Sequence, residues 1–314
     1  MKQIRVLIKG LVALGVTLLI SSFAIFAAVH VAPGDAAELL AGRNPDPETL
    51  ALIRAEYHLD QPFLVQYWLW LVGAVQGDLG RSTAFRTDVV SLILDRGLTT
   101  VMLVGYASVL ISVFGVGLGI IAALRGRWAA TWINTGTTIA MGAPAFAVAV
   151  LLIWLFSTQL DWFPIYGTGT GFFDRLWHLT LPAVSLSLMY VAYVARVTQS
   201  AIRSELHSEH VAVARSRGIP SSLVVRRHVL RNAAPPVITL VGLTVAGLVA
   251  GTAVAEQAFG VSGIGSLLVT AASQQDIPVV LGVSMIVVTV FVVVNTIVDV
   301  IVAGIDPRTE GSLS

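Results

Sequence analysis

The chain has 314 residues, 56% of them hydrophobic and 12% charged, and its mean hydropathy is +0.84. Soluble domains carry about a quarter charged residues, so this composition excludes an ordinary soluble domain and fits a membrane protein. Net charge is only +1, and the absence of cysteine excludes a disulfide framework or a thiolate metal site. No zinc-type histidine pair, glycine-rich phosphate loop or nucleophile elbow is present, so no catalytic residue, metal ligand or bound cofactor is assigned.

Lys2, Arg5 and Lys9 precede an apolar run over residues 11–28. A signal peptide has an apolar region of about 7–15 residues and a small-residue cleavage site. This run is longer and leads to no clean cleavage motif, so residues 1–30 are expected to form a tail and an uncleaved first span. Residues 31–97 carry nine acidic and five basic side chains and contain no span. Short amphipathic helices fit residues 47–57 and 63–75, and Trp68 and Trp70 suit a membrane interface. Two readings stay open for this region: a surface for an external partner, or a cap that seals the helix ends.

The second span is expected over residues 98–124 and the third over 132–160. Gly115-Val116-Gly117 sits inside the second and suits helix packing rather than a nucleotide. Pro144 lies inside the third, two residues before Phe146, and predicts a kink, either lining a pathway or serving packing. Residues 161–179, with Trp162, Pro164 and Tyr166, read as an external loop, and the fourth span follows from Leu181-Pro182 to Arg196.

A basic stretch comes next, with Arg196, Arg203, Arg215, Arg217, Arg226, Arg227 and Arg231 against only Glu205 and Glu209. Residues 204–217 contain no Gly or Pro and permit a helix, with Val211 and Ala214 as its small apolar face. Gly218 suits a left-handed residue ending that helix. Ile219-Pro220-Ser221-Ser222 then reads as a turn opening a second helix. The product is a basic helix–glycine–helix elbow.

The fifth span, residues 236–255, is rich in small residues, from Gly242 to Ala253, that let helices approach closely in lipid. Glu256 follows it at the membrane edge, as either a gate or a hydrogen-bonded cap. The sixth span covers residues 279–303 and contains Asn295 and Asp299. An intramembrane carboxylate is a functional candidate by default. Asp299 sits near the end of its span, which favours a structural hub over a proton relay. With six spans and both termini inside, thirteen of the nineteen Lys and Arg fall on the cytosolic side, and five of the other six lie in the long external region. Long translocated loops obey the positive-inside rule least, so the assignment is consistent.

The segments VAVARSRG (211–218) and RHVLRNAAPPVIT (227–239) resemble the cytoplasmic coupling loop of ABC importer permeases, in their dipeptide/oligopeptide branch. The matching positions include Val211, Ala214, Arg215, Gly218, Arg227, His228, Arg231 and Asn232. Ser216, Arg217 and His210 replace a usual Ala, Lys and Tyr, and Ala212-Val213 stand where the general motif has Glu-Ala, as that branch does. The resemblance extends to Pro33-Gly34-Asp35, to His58-Leu59-Asp60-Gln61-Pro62 and to Gly77–Ser82 in the first external loop. It includes an E-x-x-F-x-x-x-G-x-G signature at Glu256, Phe259, Gly263 and Gly265, and an N-x-x-x-D…D-P-R pattern at Asn295, Asp299 and Asp306-Pro307-Arg308.

This resemblance implies an all-α polytopic fold of the type I ABC importer permease kind, with both termini in the cytosol of a bacterial inner membrane. Residues 98–308 would form the core, with the coupling loop at 197–235 and a short tail at 309–314. It implies a second, homologous permease subunit, two ATPase subunits or one fused ATPase holding ATP and Mg2+, and an extracytoplasmic binding protein that delivers di- or oligopeptides. Pro144, Phe146, Glu256, Phe259, Gly263 and Gly265 would be pathway or gate candidates. Nickel, glutathione or oligosaccharide are alternative cargoes within the same architecture. An ion-coupled secondary transporter is the alternative of another class, and it needs several buried ionisable groups where only Asp299 qualifies. No nucleic acid is expected as a partner.

Overall fold

The protein is described here by a computed structural model covering residues 2–31, 46–56 and 60–305. Pro33-Gly34-Asp35, Tyr57-His58-Leu59, Asp306-Pro307-Arg308 and the tail 309–314 lie outside the described residues. Every regular element among the described residues is helical, and one isolated β-bridge joins Arg81 to Asp88.

Helix α1 is Lys2–Val31, α2 is Pro47–Glu56 and α3 is Phe63–Val75. Helices α4 (Val89–Leu110) and α5 (Val116–Leu124) form one span through a π-helical turn at Ile111–Gly115. Helix α6 is Arg127–Gly142, and α7 is Ala145–Leu152, continued by a π segment to Gln159. Helix α8 is Phe172–Leu206, α9 is Glu209–Ser216 and α10 is Ser221–Val224. Helix α11 is Leu230–Ala258, α12 is Ile264–Ser273 and α13 is Ile277–Ile305.

Among the described residues, four helices are long and apolar enough to cross a membrane: Val89–Leu124, Phe172–Leu206, Ser221–Ala258 and Ile277–Val298. The bent pair α6–α7 makes a fifth when counted as one span. The expected six requires α1 to cross as well. Its apolar stretch, Val12–Ala28, is at the short end of the roughly 17–25 residues that span hydrocarbon.

The third span departs from a simple kink. Helices α6 and α7 meet at 105°. Pro144 has no N–H to donate, and its ring pushes Ala143 out of the helical region, to φ −82° and ψ 121°. Without neighbours to re-form those bonds, the helix stops and restarts. The second span begins nine residues before the apolar run at residue 98, because Asp95 and Arg96 ride on its first turns, with the Arg96 guanidinium 5.3 Å from the Phe85 ring centre. The fourth span likewise starts earlier, at Phe172, and runs through Pro182.

Helix α8 is the axis of the bundle and packs against α4, α5, α6, α7 and α11. Gly115 and Gly119, four residues apart, make its tightest contact. A Cβ at Gly119 would sit 2.6 Å from the Ala195 carbonyl oxygen and 2.5 Å from Thr198 Cβ. Gly117 faces open space, so the packing pair is Gly115 and Gly119, at the spacing that brings membrane helices together.

At one end of the bundle an apolar cluster holds Val89, Leu92, Leu267, Val279 and Val283. Beside it the fully buried Asp276 accepts hydrogen bonds from Ser82 Oγ at 2.5 Å and Ala84 N at 3.1 Å. This ties the 82–85 turn to the start of α13. Phe23 and Phe26 of α1 meet Phe63 and Tyr67 of α3 at ring-centre distances of 5.3–5.7 Å, and Ser22 Oγ lies 2.8 Å from Tyr67 OH. That aromatic patch ties α3 to α1. A third cluster, built on Ile202, Val211, Val224 and Val229, closes the opposite end.

Candidate functional site

The elbow between α8 and α11 is built from a two-faced helix. The helix permitted from residue 204 is interrupted at His207-Ser208, because α8 runs on to Leu206 before the chain turns. Helix α9 then begins at Glu209. Its inner face is Val211, fully buried, and Ala214, packed with Ile202 of α8 and with Val224, Val229 and Ala233 on the returning chain. Its outer face carries Ala212, Val213, Arg215 and Arg217, all exposed.

Gly218 ends α9 in the left-handed region, with φ +75°. Its N–H donates to the Arg215 carbonyl at 3.0 Å, and the Ile219 N–H donates to the Ala214 carbonyl at 3.3 Å. This pair is the Schellman arrangement, and Ile219 completes it by packing into the elbow core with Ala214. No atom lies within 4 Å of where a Cβ on Gly218 would be. The demand for glycine is therefore one of backbone angle, not of space.

The second helix of the elbow is the start of the fifth span itself. Helix α10 passes through a π turn at Val225–Val229 into α11, giving 38 continuous helical residues. Pro235 and Pro236 sit inside that helix rather than at its start, a placement the surrounding bundle supports. Arg226, Arg227 and Arg231 are exposed along it, and His228 is half-buried. Among the described residues none of Arg215, Arg217, Arg226, Arg227 or Arg231 is ion-paired with a carboxylate.

His210, where the sequence departs from its expected pattern, staples the elbow. Its Nε2 lies 3.1 Å from Asn232 Nδ2, 3.2 Å from Ser208 Oγ and 3.2 Å from Glu205 Oε2. One ring nitrogen thus faces the end of α8 and the start of α11. Beside the elbow core, a cavity of about 350 Å³ separates α5, α8 and α11, lined by Ile120, Ile202, Leu230 and Val237 among others.

The six pathway candidates fall into two groups. Pro144 and Phe146 lie at the α6–α7 break, with Phe146 exposed. Glu256, Phe259, Gly263 and Gly265 are buried together where α12 folds back on α11. Glu256 is fully buried. Its Oε1 accepts from Thr100 Oγ1 at 2.7 Å and its Oε2 from Ser266 N at 2.7 Å. Thr100 Oγ1 in turn accepts from Ile264 N at 2.8 Å. Of the two readings open to Glu256, this is the geometry of a cap: the carboxylate holds the first turn of α12 and ties it to α4. A Cβ on Gly263 would collide with that carboxylate. Asn295 is half-buried with its Oδ1 unpartnered, and the side chain of Asp299 lies outside the described residues.

Sequence reasoning missed Thr100, Asp276 and Gly119 as partners of these motifs. Asp276 carried a usable signal, an acidic residue just before Ile277-Pro278 at a helix start. Gly119 carried one too, its four-residue spacing from Gly115; Thr100 carried none, since its partners Glu256 and Ile264 are 156 and 164 residues away.

A bundle of apolar helices with an exposed basic elbow at one end defines a multi-pass membrane protein. The comparisons agree. The family described as binding-protein-dependent transport system inner membrane component matches residues 115–311, and its N-terminal family matches residues 3–104. The chain belongs to this family: it is an ABC importer inner-membrane permease of the peptide type, a multi-pass protein of the bacterial inner membrane that works with ATPase and binding-protein partners. It is 37% identical to the glutathione transport system permease protein GsiC of Escherichia coli O6:H1, across 97% of this chain and 98% of that one. It is 35% identical to GsiC of Salmonella paratyphi A over the same shares. In fold it is similar to the MetNI methionine ABC transporter in an inward-facing conformation, with TM-score 0.53 and 16% identity over 68% of this chain and 96% of that one.

Proposed function

We propose that this chain is one half of a heterodimeric pore that imports short peptides, completed by a second homologous permease. Two ATPase subunits, or one fused ATPase, bind ATP and Mg2+ beneath it, and an extracytoplasmic binding protein delivers the cargo. Both termini and the elbow lie in the cytosol. The observation that carries this reading is the two-faced α9: Val211 and Ala214 clamp it to the bundle, while Arg215, Arg217 and the 49%-exposed Val213 stand free. A short rigid helix held on one side and bare on the other can pass differential binding energy between a docked ATPase and the spans. The cavity beside it leaves room for that shift.

The cargo class rests on the peptide-type coupling segment and on relatives named for glutathione, itself a tripeptide, so short peptides with glutathione among them are the proposed substrates. The test is a mild-detergent pull-down of the tagged chain from its own cells, with mass spectrometry of proteins and bound small molecules. A second permease, ATPase subunits and a binding protein loaded with peptide or glutathione are expected. A binding protein loaded with nickel or an oligosaccharide would overturn the cargo. A chain recovered without any ATPase would overturn the coupling role of the elbow.

A further inference from the structure

A second basic site lies apart from the docking face of α9. A cavity of about 570 Å³ opens between the last turns of α8 and the first half of α6. Arg196, Ser200, Arg203 and Ser204 line it from α8, His207 from the turn just after it, and Asn134 from α6. No carboxylate is among its lining residues, and none of the three basic side chains is ion-paired among the described residues.

The basic groups are oriented but not used up. Arg196 donates through Nε to Thr137 Oγ1 at 3.2 Å and through Nη2 to the Asn134 carbonyl at 3.0 Å and to Thr138. Arg203 spends one N–H, on the Ala122 carbonyl at 3.2 Å. His207 uses Nδ1 against the Arg203 carbonyl at 2.7 Å, leaving Nε2. The remaining guanidinium N–H groups, the imidazole Nε2 and two serine hydroxyls form a donor-rich cradle, which suits the tetrahedral oxygens of a phosphate.

The surroundings say where such a phosphate comes from. On α6, Trp128 and Trp132, six and two residues before Asn134, are 79% and 69% exposed. Exposed tryptophans of a membrane helix mark the lipid–water interface, and Arg125 and Arg127 mark its cytosolic side. Basic pockets between spans on that side take anionic lipid headgroups. We infer that the α6–α8 pocket binds the phosphate of an anionic lipid from the inner leaflet, at a site separate from the ATPase-docking elbow. The placement of the leaflet rests on the cytosolic orientation proposed above; the pocket itself does not. A bound headgroup would fasten the bent third span to the last turns of α8, immediately before the elbow.

Native mass spectrometry of the complex purified with its partner subunits tests this, with titration of phosphatidylglycerol, phosphatidylcholine and inorganic phosphate. Phosphatidylglycerol is expected to be retained over phosphatidylcholine. Arg203→Gln removes the charge, and the Ala122 carbonyl still accepts from Gln199 Nε2 at 3.2 Å; the variant should weaken that retention about tenfold or more, the loss of one charge-assisted contact. Ser200→Leu, which fills the pocket without touching a charge, should do the same. Both variants are compared at equal monodispersity and subunit content, so a folding defect is visible separately. Equal retention of the two lipids, or unchanged retention in both variants, would overturn the site. Displacement of the lipid by inorganic phosphate at millimolar concentration would reassign it to a soluble anion. Loss of the ATPase subunits in Arg203→Gln at unchanged lipid retention would reassign the pocket to protein docking.

Discussion

Gly218 is the residue on which the elbow turns, and its requirement can be isolated. It holds φ +75° with no atom crowding the Cβ position, so a substitution meets strain and nothing else. A left-handed backbone costs an ordinary L-residue roughly 1–2 kcal/mol and a β-branched one more, whereas Asn tolerates it. Gly218→Val should therefore insert at normal abundance yet lose most uptake, because the Schellman closure that sets the angle between α9 and α10 is disfavoured. Gly218→Asn should keep most of it. Transport of labelled peptide into cells, normalised to the membrane content of the chain, measures both. Normal uptake by Gly218→Val would sink the coupling role. The neighbouring arginines are a different case. Their exposure is settled by position on α9, but what they meet is decided by a partner surface.

At the level of elements, the short helix α12, packed back on α11, depends on one side chain. Its first turn is held by Glu256, which satisfies Ser266 N and Thr100 Oγ1 in a site closed to water. Glu256→Ala would leave both donors unpaired, at about 1–3 kcal/mol each. The expected result is a drop of roughly 5–10 °C in the detergent melting temperature, with Glu256→Gln falling less because one oxygen remains. If Glu256 acted as a gate rather than a cap, the Ala variant would melt normally and leak solute in proteoliposomes. The sequence placed Glu256 together with Pro144 and Phe146 as pathway residues. The structure separates them, because α12 folds back and buries the glutamate, while the 105° break at Pro144 leaves Phe146 on an open face.

For the whole molecule, the division of labour along the bundle is the main result. One end is fixed by buried polar ties, Asp276 to the 82–85 turn and Glu256 to α12. The other end presents a basic elbow on a small apolar core. Because the chain has no cysteine, single cysteines report contacts without a background. Val213→Cys, on the exposed face of α9, should cross-link to an ATPase subunit in native membranes. Val211→Cys, buried under the same helix, should not, and equal cross-linking at both positions would show that α9 is not held on one face.

The chain alone determined the membrane class, the position of the basic elbow and the left-handed glycine that closes it. These follow from composition and from local rules of charge, helix period and backbone angle, which act over a few residues. It did not determine how far helices run past their apolar stretches, as at Val89 and Phe172, nor that Pro235-Pro236 lie inside a helix while Pro144 breaks one. A proline frees the same backbone groups wherever it stands, and the surrounding helices decide whether the helix continues. The partners of Glu256, Asp276 and Gly119 were settled the same way, by packing that brings together residues 156, 194 and 79 positions apart. Such contacts exist only once the bundle has closed, and no local pattern encodes them.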